Sequence, residues 1–413
     1  MNKLILSILS LIIVFSACKK DKDIIDNTPA VNFDCNNRII KVNTTWEDVN
    51  SDPNKIDYII NCSVFVTEGS ILTIKPGVRI QFVGATSGIV VQDDGGIVAN
   101  GGQGQGANQG KIILEGVNHT KGEWSGVIIR SINPLTSFSY VEFKDAGSKG
   151  IVTGLTGAGL EINTAPVGSN VVSNVSNCTF DNNKNYGFVA IYNTKISNFN
   201  TNIFNNNELA PIRIDAFNMN MLNDNNTFFG NGQNYIDVYK GHHTDGYIES
   251  ITVRKIDMPY RIAANEKLKM KTGDLTIEPG VMLEMGTNSE ITMYDITTST
   301  GRILANGTSS EPIIMRGVED IVGCWKGISI GTNLTNQLTF VDITNAGSAA
   351  IATYDPDYIT AILVSKTRSA RAAITNCSIS KSGGYGICYG TTANLTQSSN
   401  TFTGNSLSDT YTF

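Results

Sequence analysis

The sequence predicts an all-β fold: a right-handed, single-stranded parallel β-helix, or β-solenoid, built twice in tandem. Three observations predict it. The first is a long-range duplication, in which Leu72-Thr-Ile-Lys-Pro-Gly-Val78 returns as Leu275-Thr-Ile-Glu-Pro-Gly-Val281. The second is a 24-residue step inside the first copy, carried by Phe180, Phe204 and Phe228 and by Asn183, Asn207 and Asn231. The third is composition: 16% of the 413 residues are charged, 41% are hydrophobic and 40 are glycine. A chain of this kind can build a core, yet it lacks the long amphipathic stretches that helices require.

The duplication continues in order along the chain. Ile97-Val-Ala-Asn-Gly101 recurs as Ile303-Leu-Ala-Asn-Gly307, and Gly122-Glu-Trp-Ser-Gly126 as Gly323-Cys-Trp-Lys-Gly327. Tyr140-Val-Glu-Phe-Lys-Asp-Ala-Gly147 recurs as Phe340-Val-Asp-Ile-Thr-Asn-Ala-Gly347, and Tyr186-Gly as Tyr385-Gly. The offset is 203 residues at Leu72 and 199 at Tyr186. The second copy reads as lacking one coil: Asn400-Thr-Phe-Thr-Gly-Asn405 aligns as well with Asn226-Thr-Phe-Phe-Gly-Asn231 as with the coil before it.

Within a copy, each unit reads as short strands separated by Asn/Gly turns. Apolar residues fall at i and i+2, as a strand with one buried face requires. Fixed self-similarity of this length with β patterning indicates stacked coils. A leucine-rich repeat would need its regular Leu/Asn pattern, and a propeller blade about twice the length. In a stack of coils, equivalent positions lie about 4.8 Å apart. The 24-residue step therefore predicts ladders of Phe180/Phe204/Phe228 and of Phe188/Ile212/Ile236 inside, with Asn ladders in the turns. Pro-Gly in the duplicated motif is a corner between strands. Trp124 and Trp325, each just before a glycine and a strand, read first as plugs over a turn and second as sugar-stacking platforms.

The N-terminus is a processing signal. Lys3 is followed by the apolar run Leu4–Phe15, too short to span a bilayer, and then by Phe15-Ser-Ala-Cys18. This resembles the bacterial lipobox, which implies residues 1–17 as a lipoprotein signal peptide and Cys18 as the lipidated mature N-terminus. Residues 18–43, opening with Lys19-Lys-Asp-Lys-Asp23, then form a flexible tether, with the first copy over 44–250 and the second over 251–413. The remaining cysteines leave connectivity open, since spacing alone does not fix it. Cys178 and Cys377 are equivalent positions in apolar context and read as buried core residues.

From about residue 41 to the end, the spaced motifs resemble the right-handed parallel β-helix repeat lipoproteins of the Bacteroidetes type. That resemblance implies an outer-membrane lipoprotein on the periplasmic or cell-surface side, attached to the membrane through its lipid. The net charge of −6 and the lack of a basic patch with interleaved aromatics argue against nucleic acid as a partner.

Several segments invite chemistry. Gly101–Gly110 lacks the Lys-Ser/Thr ending of a phosphate loop and reads as a loop insertion. Asp93-Asp94-Gly95-Gly96 offers oxygen ligands for Ca²⁺ but is two adjacent carboxylates, short of a site; no other metal spacing occurs. The densest cluster follows from the 24-residue step. With Ile212 and Ile214 inward, Arg213 and Asp215 are expected outward, beside Asp237 and Tyr239 of the next coil. His242 and His243 follow directly. Such a cluster can neutralise a uronate carboxylate and take the neighbouring proton, or supply paired carboxylates for hydrolysis. Arg213–Asp237 equally fits a plain surface ion pair. Three functions result: a glycan-binding or adhesion surface, a polysaccharide lyase or glycoside hydrolase using this face, or a structural envelope spacer. The first leads, because a flat repetitive surface suits an extended polymer.

Overall fold

The computed structural model describes residues 28–413 except 51, 103–109, 152, 164–170, 192–193, 240–245, 248, 294–299 and 352–357. The signal peptide and Cys18 therefore lie outside the described residues, as do His242 and His243. Every strand pair in the described chain is parallel, and consecutive members of a sheet come from successive coils. In the first copy each coil visits three sheets in turn. Arg79–Phe82 belongs to an eight-stranded sheet, Gly88–Asp93 to a fourteen-stranded sheet and Gly96–Asn100 to a six-stranded sheet. This is the parallel β-solenoid that the repeat spacing predicted.

The predicted ladders form in register. Phe143, Phe180, Phe204 and Phe228 pair in turn, and their rings stack with centroids 4.9, 4.8 and 5.4 Å apart. Each fully buried phenyl stabilises by roughly 1.5–3 kcal/mol relative to exposure. Phe188 pairs with Ile212, and Ala190, Ile214 and Val238 follow one another. The turns are held by amides. Asn183 donates from Nδ2 to Asn207 Oδ1 (3.0 Å), and Asn207 does the same to Asn231 (2.8 Å). Asn202 and Asn226 form a second such rung. These side chains satisfy backbone groups that a buried turn would leave without partners.

Cys178 and Cys377 are buried, as expected, and burial pushes their thiols up to about 12 and about 11. Cys35 and Cys62 form a disulfide. That bond revises the tether. Val31–Asn32 already pairs with Tyr58–Ile60, and Ile39–Ile40 with Ser63–Val66, so the solenoid begins well before residue 44.

The copies are joined through the fourteen-stranded sheet, hereafter the long sheet. Ile236–Val238 of the first copy pairs directly with Tyr260–Ile262 of the second. The join is out of phase with the duplication. Tyr58–Ile60, Arg79–Phe82 and Val141–Lys144 lie in the eight-stranded sheet, yet their equivalents Tyr260–Ile262, Met282–Met285 and Val341–Thr344 lie in the long sheet. Conversely, Val127–Ser131 is in the long sheet, while its equivalent Gly327–Ile330 is in a separate six-stranded sheet. The second copy is thus set onto the first with its faces advanced by one.

A 3₁₀ helix at Ala216–Met221 sits at this transition. Its Asn220 stands in for a strand neighbour: Oδ1 accepts from Thr252 N (2.7 Å) and Nδ2 donates to Ser250 O (3.2 Å).

Candidate functional site

The long sheet carries the chemistry on its outer face. Strand alternation puts Ile212 and Ile214 in the core and Arg213 outside, and Ile236 and Val238 in the core and Asp237 outside. Arg213 pairs with Asp237 in register, with Nε 3.4 Å from Oδ2. Tyr186, two coils before Asp237, donates its hydroxyl to Asp237 Oδ2 (2.8 Å) and accepts from Arg213 Nη1 (3.2 Å). The Arg213 guanidinium lies 3.9 Å from the ring centroid of Tyr239, a cation–π contact. Arg213, Asp237 and Tyr239 therefore converge as predicted.

Asp215 does not join them. The strand ends at Ile214, the chain turns into the 3₁₀ helix, and alternation stops. Asp215 is fully buried and caps that helix, accepting from Asn218 N (2.9 Å). Of the six residues proposed for catalysis, the described structure brings together three.

The cluster is one end of a longer ladder. Asp237 pairs in register with Arg261, Arg261 with Glu284, and Glu284 with Arg316. Charge alternates along all five positions from Arg213 to Arg316. Arg261 donates to Glu284 Oε2 from Nη2 (2.6 Å) and Nε (2.9 Å), while Arg316 Nη2 reaches Glu284 Oε1 (2.7 Å). Burial acts to raise the Glu284 carboxyl, but the hydrogen bonds from Arg316 and Arg261 and their charge overcome it and hold it below the usual range. Arg261 also lies over the Tyr235 ring, 3.7 Å from its centroid. The ladder crosses the junction between the copies.

At its far end the long sheet opens into a groove of about 630 Å³ lined by Glu284, Arg316, Asp320, Asp342, Asn345 and Lys381, among others. Lys381 pairs with Asp320 at 2.6 Å, and Asn345 donates to the same Asp320 Oδ1 (3.1 Å). Asp342 points outward between Val341 and Ile343. Among the described residues its side chain has no hydrogen bond or ion pair, and burial pushes its carboxyl up.

Sequence reasoning missed Tyr186, Tyr235, Arg261, Glu284, Arg316 and Asp342. A signal for Arg261 was present, because it continues the 24-residue step from Arg213 through Asp237. Comparison of the two copies hides that step, since it aligns Arg261 with Ile59.

The tryptophans are plugs, as their first reading has it, and the second reading as sugar platforms is overturned. Both are fully buried. Trp124 donates from Nε1 to Lys144 O (2.7 Å) and stacks on Phe82 with centroids 4.1 Å apart. Trp325 donates to the equivalent carbonyl, Thr344 O (2.9 Å). No ring face is left for a ligand. Asp93 and Asp94 hold the neighbouring coil: Thr67 Oγ1 donates to Asp93 Oδ2 (2.8 Å) and Gly69 N to Asp94 Oδ1 (2.7 Å). Among the described residues, no group of three or more His, Cys, Asp or Glu is arranged to hold a metal.

No protein-family model, curated protein or solved structure matches this chain.

Proposed function

We propose that the protein is a lipid-anchored envelope lipoprotein of the Bacteroidetes type, held at the membrane through Cys18, whose long sheet binds a neutral, hydroxyl-rich glycan. One observation carries this reading: an in-register outer ladder of alternating Arg and carboxylate, flanked by Tyr186, Tyr235 and Tyr239, runs into the Asp342 groove. Alternating donors and acceptors match hydroxyls, which are both. Tyrosine rings offer apolar area with a polar tip. Each ladder arginine already faces a carboxylate and the chain carries a net charge of −6, so a polyanion gains little there.

Binding fits these groups better than catalysis. Burial, followed by the charge of Asp237, raises the Tyr186 hydroxyl well above its ordinary range, away from use as a base. Glu284 is clamped by two arginines, which hold its carboxyl below the usual range and make it a weak base.

The test is a glycan array probed with the detergent-solubilised chain and with Arg261→Ala and Asp342→Ala. Neutral glycans are expected to bind, with each substitution weakening binding about 10-fold, equivalent to roughly 1.4 kcal/mol. Silence across the neutral glycans would sink the proposal. Unsaturated product released from uronate polymers would move the function to a lyase.

A further inference from the structure

Residues that line the groove of the second copy have counterparts in the first. By the matched motifs, Glu284, Arg316, Asp320, Asn345 and Lys381 correspond to Gln81, Glu115, His119, Asp145 and Asn182. The positions are kept, while the chemistry is exchanged and the hub of the cluster moves from Asp320 to Asp145. In the second copy, Asp320 is tied to Asn345 and Lys381. In the first, His119 Nδ1 lies 3.2 Å from Asp145 Oδ2, and Asn182 Nδ2 donates to Asp145 Oδ1 (2.7 Å) and to the His119 carbonyl (3.2 Å).

The first-copy cluster carries its own sign of an absent partner. Glu115 is 1% exposed. Arg79 Nε holds its Oε1 at 2.7 Å, while Oε2 is buried without a hydrogen bond, 3.9 Å from His119 Nδ1. A buried acceptor without a donor is the exception in folded proteins. The His119 ring is more than half exposed. With Nδ1 turned to Asp145, Nε2 is the ring atom left to meet a ligand.

We infer that Glu115, His119 and Asp145 form a second glycan-binding site, equivalent to the Asp342 groove, and that the protein is bivalent. A sugar hydroxyl supplies the donor that Glu115 Oε2 lacks and bonds His119 Nε2 as well. The one-face advance of the second copy places the two sites on different sheets, the eight-stranded sheet for Glu115 and the long sheet for Asp342. The sites therefore hold two separate glycan chains instead of gripping one twice. This inference rests on the glycan-binding reading above.

Titration calorimetry of the detergent-solubilised chain with cellohexaose, xylohexaose and mannohexaose tests it. Two sites per chain are expected for at least one hexasaccharide. Asp342→Ala and His119→Ala should each reduce the count to one, and the double variant to none. His119→Gln, which keeps a polar side chain at an exposed position, should behave as His119→Ala with an unchanged melting temperature. A single site in the unaltered chain overturns bivalency, and two sites surviving in both His119 variants overturns the assignment of the second site to His119; either result leaves the Asp342 site standing. No binding by any hexasaccharide overturns bivalency and the glycan reading together.

Discussion

The two copies share a coil path but not a core. In the first, Phe82 lies under Trp124, and Phe143, Phe180, Phe204 and Phe228 stack as a continuous column. In the second, the positions equivalent to Phe82, Phe143 and Phe180 are Met285, Ile343 and Ile379, all buried. Turn positions change too: Asn183 becomes Ser382. The solenoid asks only for an apolar residue of fitting volume at each inward position. Aromatic stacking and amide ladders are additions to that minimum. The difference teaches that motifs shared by both copies, Pro-Gly corners and buried Trp, define the shape. What differs is the outward polar residues, from Arg213 to Asp342 and around His119, on which the proposed binding rests.

The largest test of this contrast is removal of the plugs. Trp124→Ala and Trp325→Ala should each destabilise by about 3–5 kcal/mol, because each empties a fully buried site and orphans a carbonyl. The Trp124 variant should lose about 1 kcal/mol more, since it also removes the stacked Phe82 pair. Urea unfolding of both variants checks the order. Equal losses would mean that the Trp124–Phe82 stack adds nothing beyond volume.

Next comes the amide ladder. Asn207 is an interior rung: its Oδ1 accepts from Asn183, and its Nδ2 donates to Phe180 O and Asn231 Oδ1. Asn207→Ala should cost about 2 kcal/mol, because buried partners lose their bonds. Asn405→Ala in the second copy should cost less than about 1 kcal/mol. There the side chain serves Ser382 N (3.0 Å) and a long contact to Ile379 O (3.3 Å). If the Asn405 variant proves as costly, the copies depend on their turns alike and the contrast fails.

Much of this was legible in the sequence. A 24-residue step fixes which side chains stack, so Phe180 over Phe204 and Arg213 beside Asp237 followed from spacing alone. Asp215 was misplaced because alternation was carried one residue past the strand end, into a helix that no spacing announced. The face advance was invisible for a different reason. Matching the copies says which residues are equivalent but not which sheet they join. That is settled by the 24 residues from Ile236 to Tyr260, where Tyr260 stacks on the long sheet instead of the eight-stranded one. Its consequence, a charge ladder assembled from both copies, was hidden with it.

The smallest expected effect is also the finest probe of that ladder, since Glu284 and Asp342 line one groove and are shifted in opposite directions. The Glu284 carboxyl is held below its unfolded value near 4.3. Its contribution to stability is therefore present above that value and lost as pH falls through the folded one. The Asp342 carboxyl is raised by burial, so its contribution is present below the unfolded value near 3.9 and lost as pH rises through the folded one. Glu284→Gln should cost about 1 kcal/mol at neutral pH, a modest figure because Arg316 is nearly half exposed and screening weakens its pair. The cost should shrink on acidification, as the unaltered chain loses the same interaction. Asp342→Asn should instead stabilise slightly at neutral pH, with the gain vanishing in acid. Melting curves from pH 7 down to pH 3 separate the two. Parallel profiles for both variants would show that Arg261 and Arg316 do not set the Glu284 carboxyl apart from its neighbour.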